Sequence, residues 1–220
     1  MIGETLKRAE AAAEGAPGVD AIRRELGAAR GALKNLDEAA GRIRQIVQDM
    51  RRALRVESAA QQLLDLPNVL DAALRMTEHQ VRDRVTVRRL YGTTPYVIAN
   101  ETQLVQVFTN LVVNAAQAFD EGRDARCVIE LVTRTDEAGH AVAEVRDNGR
   151  GIPRKDLRRV FDPFFTTRAS GGGMGLGLAI CHEIISGLGG TLEVESEVGV
   201  GTTFRVALPP AATPPEGAAP

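Results

Sequence analysis

The sequence predicts an α+β fold, in which a long, coiled-coil-like helical hairpin precedes a domain of mixed helices and strands. Three observations lead to this prediction. Apolar side chains near the N-terminus repeat in alternating steps of four and three, the segment 102–119 is strongly amphipathic, and two later pairs of segments alternate in period two around a turn. A chain of 220 residues is long enough to bury the core of one ordinary domain beside such an extension.

The helical hairpin is predicted over residues 1–60. Apolar positions within 20–57 step by four and three without interruption, at Ile22, Leu26, Ala29, Leu33, Leu36, Ala40, Ile43, Val47, Met50 and Leu54. A strict repeat of this kind forms a narrow stripe that packs lengthwise against another helix. Residues 2–13 repeat the same steps before Gly15, Pro17 and Gly18 end that shorter helix. Most of the longer stripe has no partner within the hairpin, so we expect a homodimer or a further segment upstream.

Beyond residue 60 the pattern changes to that of one mixed domain, predicted over 61–209. Pro67 suits the first turn of a helix, and helices are expected at 67–81, 102–119 and 175–188. Period-two alternation predicts strands at 85–92, 96–100, 127–135, 141–149, 191–197 and 202–209. The last four of these form two hairpins, around turns at 137–139 and 199–201. The Pro- and Ala-rich end, 210–220, is expected to be disordered.

Composition excludes several classes of protein. Lys and Arg total 27 against 29 Asp and Glu, a net charge of −2, so bulk charge gives no reason to expect a nucleic acid or an anionic membrane as partner. Cys127 and Cys181 both lie in hydrophobic runs, which favours a reducing compartment over a disulfide framework. No apolar segment approaches the roughly 18 residues of a membrane span, and the N-terminus lacks a signal-peptide core. We therefore expect a soluble, cytoplasmic protein.

The first chemical motif is the segment DNGRGI at 147–152. Asp147 lies at the end of a predicted strand, and Gly149 and Gly151 follow it. Glycines let a backbone approach a flat ligand without interference from a Cβ atom. A carboxylate at that point accepts a hydrogen bond from an exocyclic amine, so this motif predicts one end of a nucleotide site.

The second motif is the glycine-rich segment GGGMGLGLAI at 171–180, which opens a predicted helix. Backbone amides in such a loop converge on phosphate oxygens, and the helix N-terminus adds a favourable dipole. A P-loop is excluded because no Lys follows in register, and a dinucleotide fingerprint is excluded because FFTTRASGG, not a strand, precedes the loop. A flexible linker is the alternative, and the amphipathic helix directly after the loop argues against it.

Five segments in order resemble the N, G1, F, G2 and G3 boxes of the ATP-binding domain of bacterial sensor histidine kinases. They are NLVVNAAQA (110–118), DNGRGI (147–152), FDPFFTTR (161–168), GGMGLGLAI (172–180) and GVGTTFRVALP (199–209). The wider superfamily includes gyrase, Hsp90 and MutL. The resemblance implies an α+β two-layer sandwich, with a mixed, mainly antiparallel sheet covered by helices on one face. The nucleotide is then expected between the helices and a mobile lid.

The resemblance assigns roles on the helix at 102–119. Asn114 matches the magnesium-binding asparagine of the family, and an amide oxygen suits this cation. Asn110 lies one turn earlier on the same face and is expected to support the metal and the phosphates. Gln117 either reaches the phosphates or is only solvated. The cofactors implied are ATP and Mg2+.

The resemblance also assigns the two ends of the nucleotide. Asp147 matches the adenine-binding aspartate, and Gly149 and Gly151 shape that pocket, which favours ATP over GTP. The lid is expected at 166–172, with Arg168 where many relatives carry Lys. The phosphate and lid positions are Gly173, Gly175, Leu176 and Gly177. Phe161, Phe164 and Phe165 either anchor the lid or fill the core.

One position bears on the type of reaction. Gyrase-like members carry a glutamate four residues before the metal-binding asparagine, where this chain has Asn110, and asparagine cannot serve as a general base. Phosphoryl transfer to a protein is therefore favoured over hydrolysis of ATP. None of His79, His140 and His182 lies in an H box, and each is interpreted as a surface or packing residue, whereas 39–55 resembles the second hairpin helix of these kinases.

The predicted function is the ATP-binding catalytic core of a two-component sensor histidine kinase. Its phosphoacceptor histidine is expected outside this chain, on a histidine-bearing dimerisation domain or protein, and its expected partners include a response regulator and a second copy of the chain. Two alternatives stay open. One is a catalytically silent nucleotide-binding scaffold, and the other is an anti-sigma-type serine kinase, against which the long heptad hairpin argues.

Overall fold

The computed structural model describes residues 27, 29–31, 33–34, 60–81, 85–119, 127–167 and 175–211. The chain divides into two compact units, Met1–Arg52 and Ala53–Pro220. In the first unit the described residues are helical and exposed, among them Ala29 and Leu33 of the predicted apolar stripe. The rest of the predicted hairpin, and the tail from 212 onwards, lie outside the described residues.

The second unit contains seven strands and four helices within its described residues. The strands are β1 (Gln62–Leu64), β2 (Thr86–Tyr91), β3 (Val97–Ala99), β4 (Val128–Thr135), β5 (Ala141–Asp147), β6 (Thr191–Glu197) and β7 (Gly201–Leu208). The helices are α1 (Leu66–Val81), α2 (Glu101–Ala116), α3 (Arg154–Leu157) and α4 (Gly177–Gly187).

A five-stranded sheet in the order β2-β4-β5-β7-β6 forms the centre of this unit. All its pairs are antiparallel except β2 with β4, which are parallel. The mixed, mainly antiparallel sheet that the sequence implied is thus confirmed. Strand β5 lies in the middle, and its last residue, Asp147, stands opposite Ile129 of β4 on one side and Thr202 of β7 on the other.

The core lies between one face of this sheet and the helices α1, α2 and α4. Helix α2 contributes a stripe of fully buried side chains at Leu104, Val107, Phe108 and Leu111, the spacing of an amphipathic helix that packs on one side. The sheet supplies the alternate residues that face them: Ile129, Leu131, Ala143, Val145, Phe204 and Val206. Both layers of the predicted sandwich are therefore present.

The other face of the sheet carries charged side chains. Glu144 of β5 is only 1% exposed, yet it points away from the helices. Arg205 Nε donates to its Oε1 at 2.9 Å, Arg134 Nη2 donates to the same oxygen at 3.2 Å, and Arg146 donates to Oε2. This buried carboxylate is neutralised by three arginines, one each from β4, β5 and β7.

Most strands and helices begin and end within a few residues of their predicted bounds. The largest difference among these is α2, which ends at Ala116 rather than at 119. The sequence prediction missed β1 and α3. Strand β1 has three residues and forms by pairing with the distant β3, and α3 is a single turn after Pro153, so neither carries enough local periodicity to be detected.

Candidate functional site

The start of helix α2 determines where the predicted metal-binding helix face lies. Asn100 caps the helix, because its side chain accepts a hydrogen bond from the Gln103 amide at 3.1 Å. With that start and the buried stripe fixed, Asn110 and Asn114 lie one turn apart at the partly buried margin of the helix.

Asn110 joins α2 to the first turns of α4. Its Nδ2 donates to the Gly177 carbonyl oxygen at 3.4 Å and to Cys181 Sγ at 3.6 Å. The Cys181 thiol in turn donates to the Val107 carbonyl oxygen at 3.7 Å. Burial raises the pKa of Cys181 to about 12, so the thiol keeps the proton that this bond requires. Cys181 was predicted to be only a small apolar side chain, but it also accepts one hydrogen bond and donates another.

Asn114 differs from Asn110 in its surroundings. Its side chain is partly buried, and within the described part of the chain its amide has no hydrogen-bond partner. The amide oxygen is thus available to a ligand. Gln117 is the C-cap of α2 and is exposed, with its backbone N–H bonded to the Val113 carbonyl oxygen at 3.0 Å.

Asp147 lies at the end of β5 with its carboxylate directed toward the loop that follows. Its Oδ1 accepts a hydrogen bond from the Gly149 amide at 2.8 Å. Burial raises its pKa, and hydrogen bonds from the backbone of Gly149 and Thr202 and the charge of Arg150 lower it; burial prevails and leaves the pKa at about 6. A carboxyl group with such a raised pKa is a common mark of a functional site.

The two glycines after Asp147 allow close packing that no other residue would permit. A Cβ atom on Gly149 would lie 2.6 Å from the Ala118 Cβ, and one on Gly151, whose φ is +71°, would lie 2.1 Å from the Glu197 carbonyl oxygen. The end of α2 and the β6–β7 turn therefore both contact this loop. The observed close approach is to other segments of the chain, and the predicted approach to a flat ligand stays a prediction.

The start of α4 has the features of an anion-binding helix terminus. Its N-cap, Leu176, makes no side-chain capping bond, so the first amides of the helix have no partner from that side chain. Gly175 has φ +69°, and its carbonyl oxygen accepts a hydrogen bond from the Phe164 amide at 3.0 Å. The predicted site residues Arg168 and Gly173 lie outside the described residues.

The three phenylalanines of the predicted lid anchor have different surroundings. Phe161 packs partly buried against the core, 5.4 Å from the ring of His182. Arg159 stacks over the ring of Phe165 at 4.5 Å, and Phe164 is 67% exposed with φ at 67°. Core filling therefore describes Phe161 but not Phe164.

Sequence reasoning missed two residues beside Asp147. Ser196 of β6 and Thr202 of β7 have their hydroxyl oxygens 2.9 Å apart, and both residues border an open surface depression that also includes Asp147 and Gly201. Thr202 is 5% exposed and stands opposite Asp147 in the β5–β7 register. Single hydroxyl residues in strands carry no local signal, and only the strand order places them next to the carboxylate.

The segment that carries this site matches a known protein family. Residues 99–212 match the family described as "Histidine kinase-, DNA gyrase B-, and HSP90-like ATPase". The chain belongs to this family. The match includes every described site residue named above, from Asn110 on α2 to Thr202 on β7, and it identifies the second unit as a nucleotide-binding domain.

Two curated relatives of this chain are sensor kinases. It is 34% identical over 187 residues to sensor kinase CckA of Brucella abortus, covering 80% of this chain and 19% of CckA. It is 33% identical over 172 residues to sensor histidine kinase ZraS of Escherichia coli, covering 77% of this chain and 36% of ZraS. The chain thus spans between about a fifth and about a third of these relatives.

A solved structure supports the same fold. The mycobacterial sensor histidine kinase MprB is 27% identical and superposes with a TM-score of 0.59, covering 68% of this chain and 97% of the MprB chain. Within its family, the chain therefore corresponds to the ATP-binding catalytic core of sensor histidine kinases. Among the described residues, no helix combines the length and apolar character needed to cross a membrane.

Proposed function

We propose that this chain is the catalytic core of a sensor histidine kinase that transfers the γ-phosphoryl group of Mg-ATP to a histidine outside the chain. The observation that carries the proposal is the juxtaposition of α2 and α4. Asn110, one turn before Asn114, is bonded to the first residue of α4, so the proposed metal ligand and an anion-binding helix terminus lie side by side.

The purine is proposed to bind at Asp147. Its side chain is partly buried, Thr202 stands opposite it in the β5–β7 register, and the loop after it has no Cβ at Gly149 or Gly151. An adenine amine would supply the hydrogen-bond donor that the ionised carboxylate lacks. Losing such a buried bond costs about 1–3 kcal/mol, which corresponds to roughly a tenfold to hundredfold loss of affinity.

The triphosphate and its Mg2+ are proposed to lie between α2 and α4. Asn114 would contribute an amide oxygen to the cation, which normally takes only one or two protein ligands and completes its shell with phosphates and water. Mg2+ supplies charge neutralisation on the phosphate oxygens when it is bound. Gly173, Gly175, Leu176 and Gly177, with Arg168 and Gln117, are the proposed phosphate and lid contacts.

The proposed chemistry depends on positioning rather than on a general base. Asn110 holds the first turn of α4 against α2, and it cannot take a proton from water. An imidazole nitrogen of the acceptor attacks the γ-phosphorus, a P–N bond forms, the P–O bond to the leaving phosphate breaks, and ADP departs. Phosphoryl transfer of this kind needs alignment and charge stabilisation more than covalent help.

The acceptor is proposed to lie outside the chain. His140 is held by Asp136, with Nδ1 3.0 Å from Oδ2, and His182 stacks near Phe161, so both have structural contacts. His79 is exposed on α1. A histidine-bearing dimerisation domain, a response regulator that takes the group onward, and a second copy of this chain are the proposed partners.

The test combines γ-labelled ATP, Mg2+, the full chain and a separate histidine-bearing dimerisation domain from a related kinase. Acid-labile label on the histidine domain is the expected result, and Asn114→Ala is expected to lower its rate at least a hundredfold. Asn68→Ala is the matched control, because Asn68 pairs with Asp65 at the start of α1, and it should transfer at the unaltered rate.

Two other outcomes would contradict the proposal. Tight binding of Mg-ATP with no label on any histidine domain would instead indicate a nucleotide-binding scaffold. Acid-stable label on serine would indicate a serine kinase of the anti-sigma type.

A further inference from the structure

Ser196 forms hydrogen bonds to three segments close to Asp147. Its Oγ accepts a hydrogen bond from the Ile152 amide at 2.8 Å, donates to the Gly201 carbonyl oxygen at 2.8 Å, and lies 2.9 Å from Thr202 Oγ1. Ile152 belongs to the loop after Asp147, and Gly201 and Thr202 begin β7. One hydroxyl group thus connects the loop, the β6–β7 turn and a neighbouring side chain.

These contacts determine which hydroxyl donates in the Ser196–Thr202 pair. A serine hydroxyl has one proton and two lone pairs. A carbonyl oxygen can only accept, so the Ser196 proton is used by Gly201. The bond between the two hydroxyls must then be donated by Thr202, and Ser196 uses both of its lone pairs, one for Ile152 and one for Thr202.

The direction of this bond controls what Thr202 offers to a ligand. Because its only proton points at Ser196, Thr202 Oγ1 presents lone pairs alone to the rest of its surroundings. Thr202 is buried and stands opposite Asp147, whose ionised carboxylate is likewise acceptor-only. Where these two residues lie side by side, the site therefore favours a donor at the adjacent edge of a bound base.

We propose that Ser196 is a specificity-determining positioning residue, which orients the Thr202 hydroxyl so that the site selects a 6-amino purine over a 6-oxo purine. The inference rests on the proposed nucleotide site and deepens it. A 6-amino group donates into the pair of acceptors, whereas a 6-oxo group sets its own lone pairs against them. Without Ser196, the Thr202 hydroxyl is free to rotate and donate to a 6-oxo group.

The test compares the affinities of the full chain for Mg-ATP and Mg-ITP, which differ in the base at position 6 and at the adjacent N1 proton. Ser196→Ala is expected to lower the ratio of ATP affinity to ITP affinity about tenfold, the effect of one hydrogen bond. Ser196→Thr keeps the hydroxyl and is expected to keep the unaltered ratio. A substitution that only perturbs the structure of the site would weaken the binding of both nucleotides alike and leave the ratio unchanged.

A second background shows whether Ser196 acts through Thr202. In Thr202→Val the hydroxyl is already absent, so adding Ser196→Ala is expected to change the ratio no further. Thermal unfolding confirms that each variant is folded. If the alanine variant does not fold, Ser196→Cys replaces it, because a thiol accepts hydrogen bonds weakly and the same fall in the ratio is expected.

The outcomes separate this inference from the proposed function. Two results would contradict the role of Ser196 while leaving the nucleotide site intact, provided that the unaltered chain binds ATP. In one, Ser196→Ala leaves the ratio of ATP to ITP affinity unchanged. In the other, Ser196→Ala lowers this ratio as much in the Thr202→Val background as in the unaltered chain. If the unaltered, folded chain binds neither nucleotide, the proposed function is wrong and the inference falls with it.

Discussion

Two carboxylates on β5, Glu144 and Asp147, lie three residues apart and point to opposite faces of the sheet. Burial opposes the ionisation of Glu144, but hydrogen bonds and charge from Arg205, Arg146 and Arg134 outweigh it and lower its pKa to about 2. Asp147 is partly buried, and its weaker compensation by backbone amides and the charge of Arg150 leaves its pKa at about 6.

The two carboxylates differ in how their negative charge is compensated. The partners of Glu144 are all supplied by the sheet, so its charge is satisfied within the fold. The charge of Asp147 is only partly compensated, and a ligand that donates a hydrogen bond would complete it. A structural carboxylate therefore has a lowered pKa here, and a carboxylate proposed to bind ligand has a raised one.

The largest expected effect concerns Glu144. Glu144→Gln leaves three guanidinium groups without their shared counter-charge, and we expect a loss of about 3 kcal/mol in the free energy of unfolding, measured by urea denaturation at pH 7. The affinity for ATP of the folded variant should not change. Equal stability of the variant and the unaltered chain would show that the arginine cluster is not structural.

A similar effect of opposite sign is expected at Asp147. The folded state keeps this proton up to about pH 6, whereas the unfolded state releases it near 3.8, so stability falls as the pH rises through that window. We expect Asp147→Asn to be more stable than the unaltered chain by up to about 3 kcal/mol at pH 7, with the difference vanishing near pH 3.5. For Glu144 the sign is reversed, because its contribution is present above its ordinary value of 4.5 and is lost as the pH falls through about 2.

Thermal unfolding in a series of buffers measures the difference in stability between Asp147→Asn and the unaltered chain at each pH. A pH-independent difference would mean that the pKa of Asp147 is the same in the folded and unfolded states, and a difference that grows in the opposite direction would mean that Asp147 is compensated as Glu144 is. Either result would remove the contrast between the two residues.

Nucleotide binding is expected to depend on the same proton. In the proposed site the adenine amine bonds to the ionised carboxylate, so the affinity for ATP is expected to fall by up to tenfold for each pH unit below about 6. Calorimetry at several pH values tests this, and Asp147→Asn, which has no such proton, should lose the additional dependence. Titration of the ATP phosphates is common to both chains and cancels in the comparison.

The smallest expected effect belongs to an exposed ion pair on the sheet face that carries Glu144. Glu130 lies 3.2 Å from Arg88, and Arg88 is 52% exposed. Glu130→Gln should change the free energy of unfolding by less than about 1 kcal/mol. If its effect equals that of Glu144→Gln, burial of Glu144 contributes nothing beyond an ordinary surface pair.

The sequence predicted much of this fold because its signals are local. Period-two alternation in 128–135 and 141–147 indicated the central hairpin, and the apolar spacing of 102–119 indicated the helix that carries Asn110 and Asn114. The glycines after Asp147 were predicted to approach a ligand, and the structure shows that Gly149 also packs closely against Ala118. Five motifs in the correct order then indicated the family, which the match at 99–212 confirms.

Other features could not be predicted because they depend on distant parts of the chain. The bond from Asn110 to Gly177 joins two helices that are separated in sequence by β4, β5 and α3, and no pattern near either residue encodes it. Ser196 and Thr202 are ordinary hydroxyl residues until the order β5-β7-β6 places them beside Asp147.

The amino-acid sequence by itself determined the types of the elements, their order and the motifs that lie on them, because each of these depends on neighbours within a few positions. Only the tertiary structure decided that the charge of Glu144 is neutralised and that the charge of Asp147 is partly compensated. The physical reason is that burial, charge compensation and the direction of a hydroxyl proton are set by groups that meet across strands, and adjacent strands are distant in sequence.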